Sequence, residues 1–131
     1  MADHAMKLFG EDAEFDHAGI AVRSIDGVAS GLEIIEDPLQ KVLVAFIDLN
    51  GLKVELICPA GENSPVSEIL AKGQHLYHLC YRVQNMNNSL KIARDHGLHC
   101  IAKPVPAMAF GNKRIAWVFS PALGLFELLE K

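Results

Sequence analysis

Most of this chain consists of runs in which apolar residues recur at every second position, the period of a strand with one buried face. Residues 15–23, 41–49, 52–58, 76–83, 98–102, 113–119 and 124–130 read as strands, and 32–35 as a short one ended by the turn signal Glu36-Asp37-Pro38. Asn50-Gly51 lies between two aliphatic runs and tolerates positive φ at both positions, which predicts a two-residue hairpin. The period changes to helical in two places. Ser64-Pro65 offers an N-cap and a first-turn proline ahead of Val66, Ile69 and Leu70, a two-turn helix that stops at Gly73. Asn85 caps a second helix, with Met86, Leu90, Ala93 and the Arg94 stem on one side and Gly97 as its stop signal. Pro104-Val105-Pro106 and Ser120-Pro121 separate the last three strands, and residues 1–13 carry no clear period and read as an N-terminal arm.

The pattern occurs twice. FDHAGIAVRSID (15–26) aligns without a gap on LYHLCYRVQNMN (76–87), which makes His17 and His78 equivalent. Each copy ends on a strand with one carboxylate among apolar residues, Val54-Glu55-Leu56-Ile57 and Phe126-Glu127-Leu128-Leu129. Two histidines and two glutamates placed by a repeat point to one symmetric metal site with ligands His17, Glu55, His78 and Glu127. The boundaries are an arm at 1–13, a short first half-module at 14–73 and a second at 74–131, together forming one domain. The second half is strand, helix and three strands. His17 and Glu55 are 38 positions apart and His78 and Glu127 are 49 apart, so the first copy is 11 residues short, about three helical turns. The shortage falls on 24–31, and Pro38 stops any helix running through that region, so the first crossover helix is expected to be missing or reduced to a turn.

Composition narrows the partners. With half of its 131 residues apolar the chain can bury a real core, and a formal charge of −4 with no basic cluster beyond Lys113-Arg114 argues against nucleic acid. No basic-then-apolar leader opens the chain and no apolar run approaches membrane-spanning length, so a soluble cytoplasmic protein acting on small molecules is expected. Three cysteines without C-x-x-C spacing read as reduced and structural rather than as a disulfide or zinc framework.

Paired modules with an early His and a late Glu resemble the vicinal oxygen chelate superfamily, the glyoxalase and bleomycin resistance group. Within it, residues 15–131 are most similar to the methylmalonyl-CoA epimerases and their glyoxalase-like relatives. The matching stretches are His17-Ala18-Gly19-Ile20-Ala21-Val22, Val54 to Pro59 with Gly61-Glu62-Asn63-Ser64-Pro65-Val66, His78 to Val83, Gly111 to Ala116 and Gly124 to Leu128. The resemblance implies an α+β fold in which two βαβββ-type modules form a curved mixed sheet around a metal cleft, here without a full first-module helix. It also implies that His17, Glu55, His78 and Glu127 hold one divalent ion. Some epimerases carry a further catalytic glutamate where this chain has Val44.

Imidazole and carboxylate donors suit Zn, Ni, Co, Mn or Fe, and four protein ligands leave about two adjacent positions for a substrate with neighbouring oxygens. The implied reaction removes a proton α to a thioester or carbonyl through a metal-stabilised enolate, with Glu127 as first choice of base and Glu55 as its partner. Lys113 is a candidate contact for a substrate anion such as an acyl-CoA. A glyoxalase I-like lyase (lactoylglutathione lyase) is the alternative, although Arg23, Arg82, Arg94 and Arg114 sit in no recognisable glutathione motif. A binding or resistance protein without turnover is the third reading. His4, His75, His96 and His99 have no counterparts in the repeat and read as surface positions; Cys80 and Trp117 read as core. An exposed sheet face predicts a homodimer.

Overall fold

The computed structural model describes residues 4–131; residues 1–3 of the predicted arm lie outside the described residues. The elements run β1 (Glu14–Ala21), β2 (Ile35–Asp37), β3 (Val42–Leu49), β4 (Leu52–Pro59), α1 (Pro65–Ala71), β5 (Leu76–Val83), α2 (Met86–Asp95), β6 (His99–Cys100), β7 (Val105–Pro106), a 3-10 turn (Met108–Phe110), β8 (Arg114–Ser120) and β9 (Gly124–Glu130). Among the described residues all nine strands belong to one curled mixed sheet in the order β2-β3-β4-β1-β5-β9-β8-β6, with β7 on β8. The order is close to a palindrome about the β1/β5 pair. On one side β1 lies parallel to β4, on the other β5 lies parallel to β9, and β1 and β5 meet antiparallel.

Local chemistry accounts for the elements. Asn50 and Gly51 take φ of 51° and 91°, so β3 and β4 pair without a break from Val42↔Pro59 to Leu49↔Leu52. The Ser64 side chain accepts from the Val66 amide to start α1, and Asn85 accepts from the Asn88 amide to start α2. α2 ends where Gly97 adopts φ 84° and the Leu98 amide returns to the Ala93 carbonyl. Met86, Ser89 and Ala93 form the buried stripe of α2, whereas Arg94 is exposed rather than lending its stem.

Four differences from the expected pattern have physical causes. The short strand lies at Ile35–Asp37, not at 32–35, and Asp37 belongs to the strand while its side chain caps the turn that follows. The run at 98–102 pairs only at His99 and Cys100, and the segment around Pro104 and Pro106, taken as a separator, adds β7 against Ile115 and Arg114. The arm is anchored: Phe9 is buried with Met86 and Leu128 and its ring meets Tyr81 and Phe126 at 5.3 and 5.4 Å. The first crossover helix, by contrast, is reduced to a turn as the 11-residue shortage implies, with the Val28 and Ala29 amides both bonded to the Ile25 carbonyl.

Candidate metal centre

The four repeat-derived residues converge on one point. β1 and β4 pair with Gly19 beside Glu55, and β5 and β9 pair with Cys80 beside Glu127. Across the antiparallel seam Gly19 faces His78 and Cys80 faces His17. Each module therefore delivers its histidine and glutamate to the same concave face by the same register. None of the four is more than 4% exposed.

Gly19 is what permits the approach. A Cβ there would lie 2.2 Å from His78 Cε1 and 2.5 Å from Nδ1, so the imidazole crosses the space that a side chain would occupy. His17 is held by rings instead. Phe110 stacks on it at 5.5 Å, while Phe46 and His78 meet it edge-on at 6.0 and 5.5 Å. Trp117 and Tyr77 meet the His78 ring edge-on at 4.8 and 5.0 Å.

The geometry fits a divalent ion. His17 Nε2 lies 3.4 Å from His78 Nε2, 3.4 Å from Glu55 Oε1 and 3.3 Å from Glu127 Oε1. His78 Nε2 lies 3.6 and 3.3 Å from the same two oxygens. Donors about 2.1 Å from one ion in a tetrahedral arrangement lie about 3.4 Å apart, so these separations match a coordination shell as well as they match long hydrogen bonds. Glu127 Oε1 is buried without a hydrogen bond of good geometry, a further sign that its natural partner is a cation.

Charges in the protein alone are strongly coupled. Burial works to lower the His17 pKa, but the Glu127 and Glu55 carboxylates beside its Nε2 prevail and raise it from 6.5 to about 10. At Glu127 burial is likewise outweighed, by His17 and His78, and the carboxyl falls to about 2. At Glu55 burial wins and the pKa rises. Burial, with Glu127 next, also pushes the Cys80 thiol well up, so this cysteine packs as an inert thiol among Ala107, Ile115 and Leu129.

A cavity of about 30 Å³ adjoins the quartet. Glu55 and Glu127 line it, with Val44 and Ile57 from the first module and Tyr77, Ile115 and Trp117 from the second. Phe110, on the loop at 107–112, completes the wall. That loop is latched to the first module by Asp37, a buried carboxylate whose Oδ2 accepts from the Met108 amide at 3.2 Å while Oδ1 accepts from Leu39 and Gln40. Gln40 in turn accepts from Trp117 Nε1 at 3.2 Å. Trp117 is therefore a half-buried wall residue rather than pure core. Lys113 is exposed at the end of the loop and does not line the cavity.

Sequence reasoning missed several of these residues. Asp16 Oδ2 lies 2.7 Å from His17 Nδ1, and the adjacent Asp-His pair was a visible signal. Asp37 at the end of β2, Gln40 in the turn after it and Phe110 in the 107–112 loop gave no signal, because the two segments that carry them are distant in the chain and meet only in the fold. His4, His75, His96 and His99 are all exposed, as the repeat implied.

Comparisons with known proteins show the superfamily and the fold that carry this site. Residues 16–117 match the family model of the Glyoxalase/Bleomycin resistance protein/Dioxygenase superfamily. The uncharacterized protein YqjC of Bacillus subtilis (strain 168) is 35% identical over 115 residues, spanning 79% of this chain and 80% of its own. The ethylmalonyl-CoA/methylmalonyl-CoA epimerase of Cereibacter sphaeroides is 26% identical over 114 residues, 79% of this chain and 85% of its own. Among solved structures, a hypothetical protein from Bacillus halodurans superposes with a TM-score of 0.75 at 28% identity, covering 92% of this chain and 96% of that one.

Proposed function

The chain belongs to the glyoxalase/bleomycin resistance protein/dioxygenase superfamily, and on that premise we propose that it is a divalent-metal-dependent enzyme of the epimerase type, acting on the proton α to the carbonyl of a thioester. The observation that carries this reading is the convergence of His17, Glu55, His78 and Glu127 beside a cavity into which the same two glutamates face. The similarity to an epimerase of ethylmalonyl-CoA and methylmalonyl-CoA supports acyl-CoA as the substrate class.

Held by these four residues, a divalent cation would supply Lewis-acid stabilisation of the negative charge that grows on the carbonyl oxygen. Everything else falls to the chain. Glu127 would take the α-proton, and Glu55, brought in from the opposite side by the pseudo-twofold, would return one to the other face. Val44 stands on the cavity wall where some epimerases have an additional glutamate, so the two ligand carboxylates carry both transfers. Tyr77, Trp117 and Phe110 exclude water and present apolar surface to the acyl group. Because the quartet is buried and the cavity is small, the loop at 107–112 would open to admit substrate. Lys113, exposed beside that loop, would meet the anionic part of an acyl-CoA.

The test is deuterium uptake. Metal-loaded protein in heavy water is expected to exchange the α-proton of methylmalonyl-CoA or ethylmalonyl-CoA, followed by NMR, and Glu127→Gln is expected to slow exchange at least about a hundredfold. No exchange into either thioester at full metal occupancy would reject the reading.

A further inference from the structure

The two copies of the repeat each contain a β-bulge at the residue preceding the histidine. In β1 the pairing with β5 steps from Phe15↔Tyr81 to His17↔Cys80, which leaves Asp16 as the extra residue. In β5 it steps from Gly19↔His78 to Ile20↔Leu76, which leaves Tyr77 as the extra residue. Regular alternation would send each of these side chains to the face opposite its histidine. A bulge re-aims the side chain, and both lie against the neighbouring imidazole instead.

The two side chains do different work. Asp16 Oδ2 contacts His17 Nδ1 at 2.7 Å, whereas Tyr77 offers its ring to His78 at 5.0 Å and leaves His78 Nδ1 buried without a hydrogen-bond partner. Asp16 is itself fixed from both sides. Arg82 Nε of β5 lies 3.3 Å from Oδ1, and Lys53 Nζ of β4 lies 3.4 Å from Oδ2. Its side chain is only 9% exposed, so this is a built arrangement rather than a surface pair.

We infer that Asp16 is a positioning residue for the metal centre, making His17 the pre-set ligand of the two histidines. The inference rests on the quartet being a metal site and goes beyond it by assigning an asymmetry that the ligand set lacks. A carboxylate that accepts from Nδ1–H fixes the imidazole tautomer, leaves the Nε2 lone pair aimed at the centre and strengthens it as a donor. His78 has no such partner and is located by packing across Gly19 and against Trp117.

Metal affinity, read by competition with a chromophoric chelator for Zn²⁺ or Co²⁺, tests this without reference to turnover. Asp16→Ala is expected to weaken binding about 10- to 100-fold. Asp16→Asn keeps an acceptor oxygen and is expected to fall between Asp16→Ala and the unaltered protein. Arg82→Met removes an ion pair from Asp16 but leaves the His17 contact, so affinity is expected to shift less than about threefold; a loss equal to that of Asp16→Ala would mean that Asp16 only ties strands together, and would overturn the inference. Asp16→Ala binding within about threefold of the unaltered protein would overturn it as well. Should Asp16→Ala fail to fold, NMR of the Zn²⁺-loaded unaltered protein decides: a slowly exchanging, strongly hydrogen-bonded Nδ1 proton is expected on His17 and not on His78, and the reverse pattern or none overturns the inference. Failure of the parent reading looks different, because the unaltered protein would then take up no stoichiometric metal.

Discussion

The first module (β1 to β4) and the second (β5 to β9 with α2) place their metal-ligand candidates by the same register, yet almost everything around those candidates differs. In the second module, α2 covers the sheet and buries Met86 and Ala93 with Val83, Val118 and Leu128. In the first, a turn at 25–29 replaces that helix. The bulge residue is an aspartate bound to its histidine in the first module and an aromatic wall in the second. Facing positions differ too, with Gly19 opposite His78 and Cys80 opposite His17. The difference teaches that the repeat preserves strand pairing around the quartet and leaves the surrounding parts free to specialise. α2 packs on Val83, Ala116, Val118 and Leu128, the sheet face opposite the quartet, so a first-module helix in the equivalent place would not wall the cleft as the family resemblance suggested; the wall is closed instead by the second module's loop at 107–112, latched to Asp37 of the first.

The strongest test of the shared part is removal of either histidine. His17→Ala and His78→Ala are each expected to leave less than about one-tenth equivalent of metal after dialysis, measured by elemental analysis, because a single buried centre needs donors from both modules. Retention of full occupancy by one variant alone would break the symmetry of the ligand set.

Next in size is the seam. Gly19→Ala drives a methyl into the His78 ring and is expected to cost about 1–3 kcal/mol of stability together with metal affinity, whereas Cys80→Ala at the equivalent position of the other module is expected to cost less and leave His17 in place. Denaturant midpoints of the two variants sharpen the comparison directly.

A proton balance follows. In the metal-free protein His17 has its pKa raised from 6.5 to about 10, so its contribution to stability is complete below pH 6.5 and is lost as pH rises through about 10. Glu127, lowered from 4.5 to about 2, contributes above pH 4.5 and loses that contribution as pH falls through about 2. Glu55, raised by burial, acts in the opposite sense to Glu127. Denaturant midpoints are therefore expected to fall between pH 6.5 and 10 without metal. Metal binding at pH 7 is expected to release about one proton, read by calorimetry in buffers of different ionisation enthalpy.

The effect with least bearing on the quartet concerns the latched loop. Asp37→Ala leaves three backbone amides without their acceptor and is expected to cost about 1–3 kcal/mol while raising the proteolytic sensitivity of the 107–112 loop, with the quartet intact. An unchanged cleavage rate would show that the loop is held by its own packing.

The strands and both helices were legible because their signals are local. Period-two runs, the Asn50-Gly51 turn and the Ser64 and Asn85 caps act over a few residues and survived folding to within one or two positions. The β2 and β6 to β7 regions were less legible, because short strands are defined by a neighbour's edge and not by their own pattern. Phe9 is a similar case: a single apolar residue in an aperiodic arm acquires a place only once Tyr81 and Phe126 form a surface.

By itself the sequence determined the repeat, the four candidate ligands and the missing helix, since a duplicated pattern carries equivalent positions wherever the chain goes. Only the tertiary structure decided how those residues work together. The register that brings Glu55 beside Gly19, the paired bulges that turn Asp16 and Tyr77 toward their histidines, and the Asp37 latch to Met108 all depend on strands and loops distant in the chain meeting at set offsets. A one-residue change of register would send every side chain to the other face, and nothing in the linear pattern states where a bulge will absorb that shift.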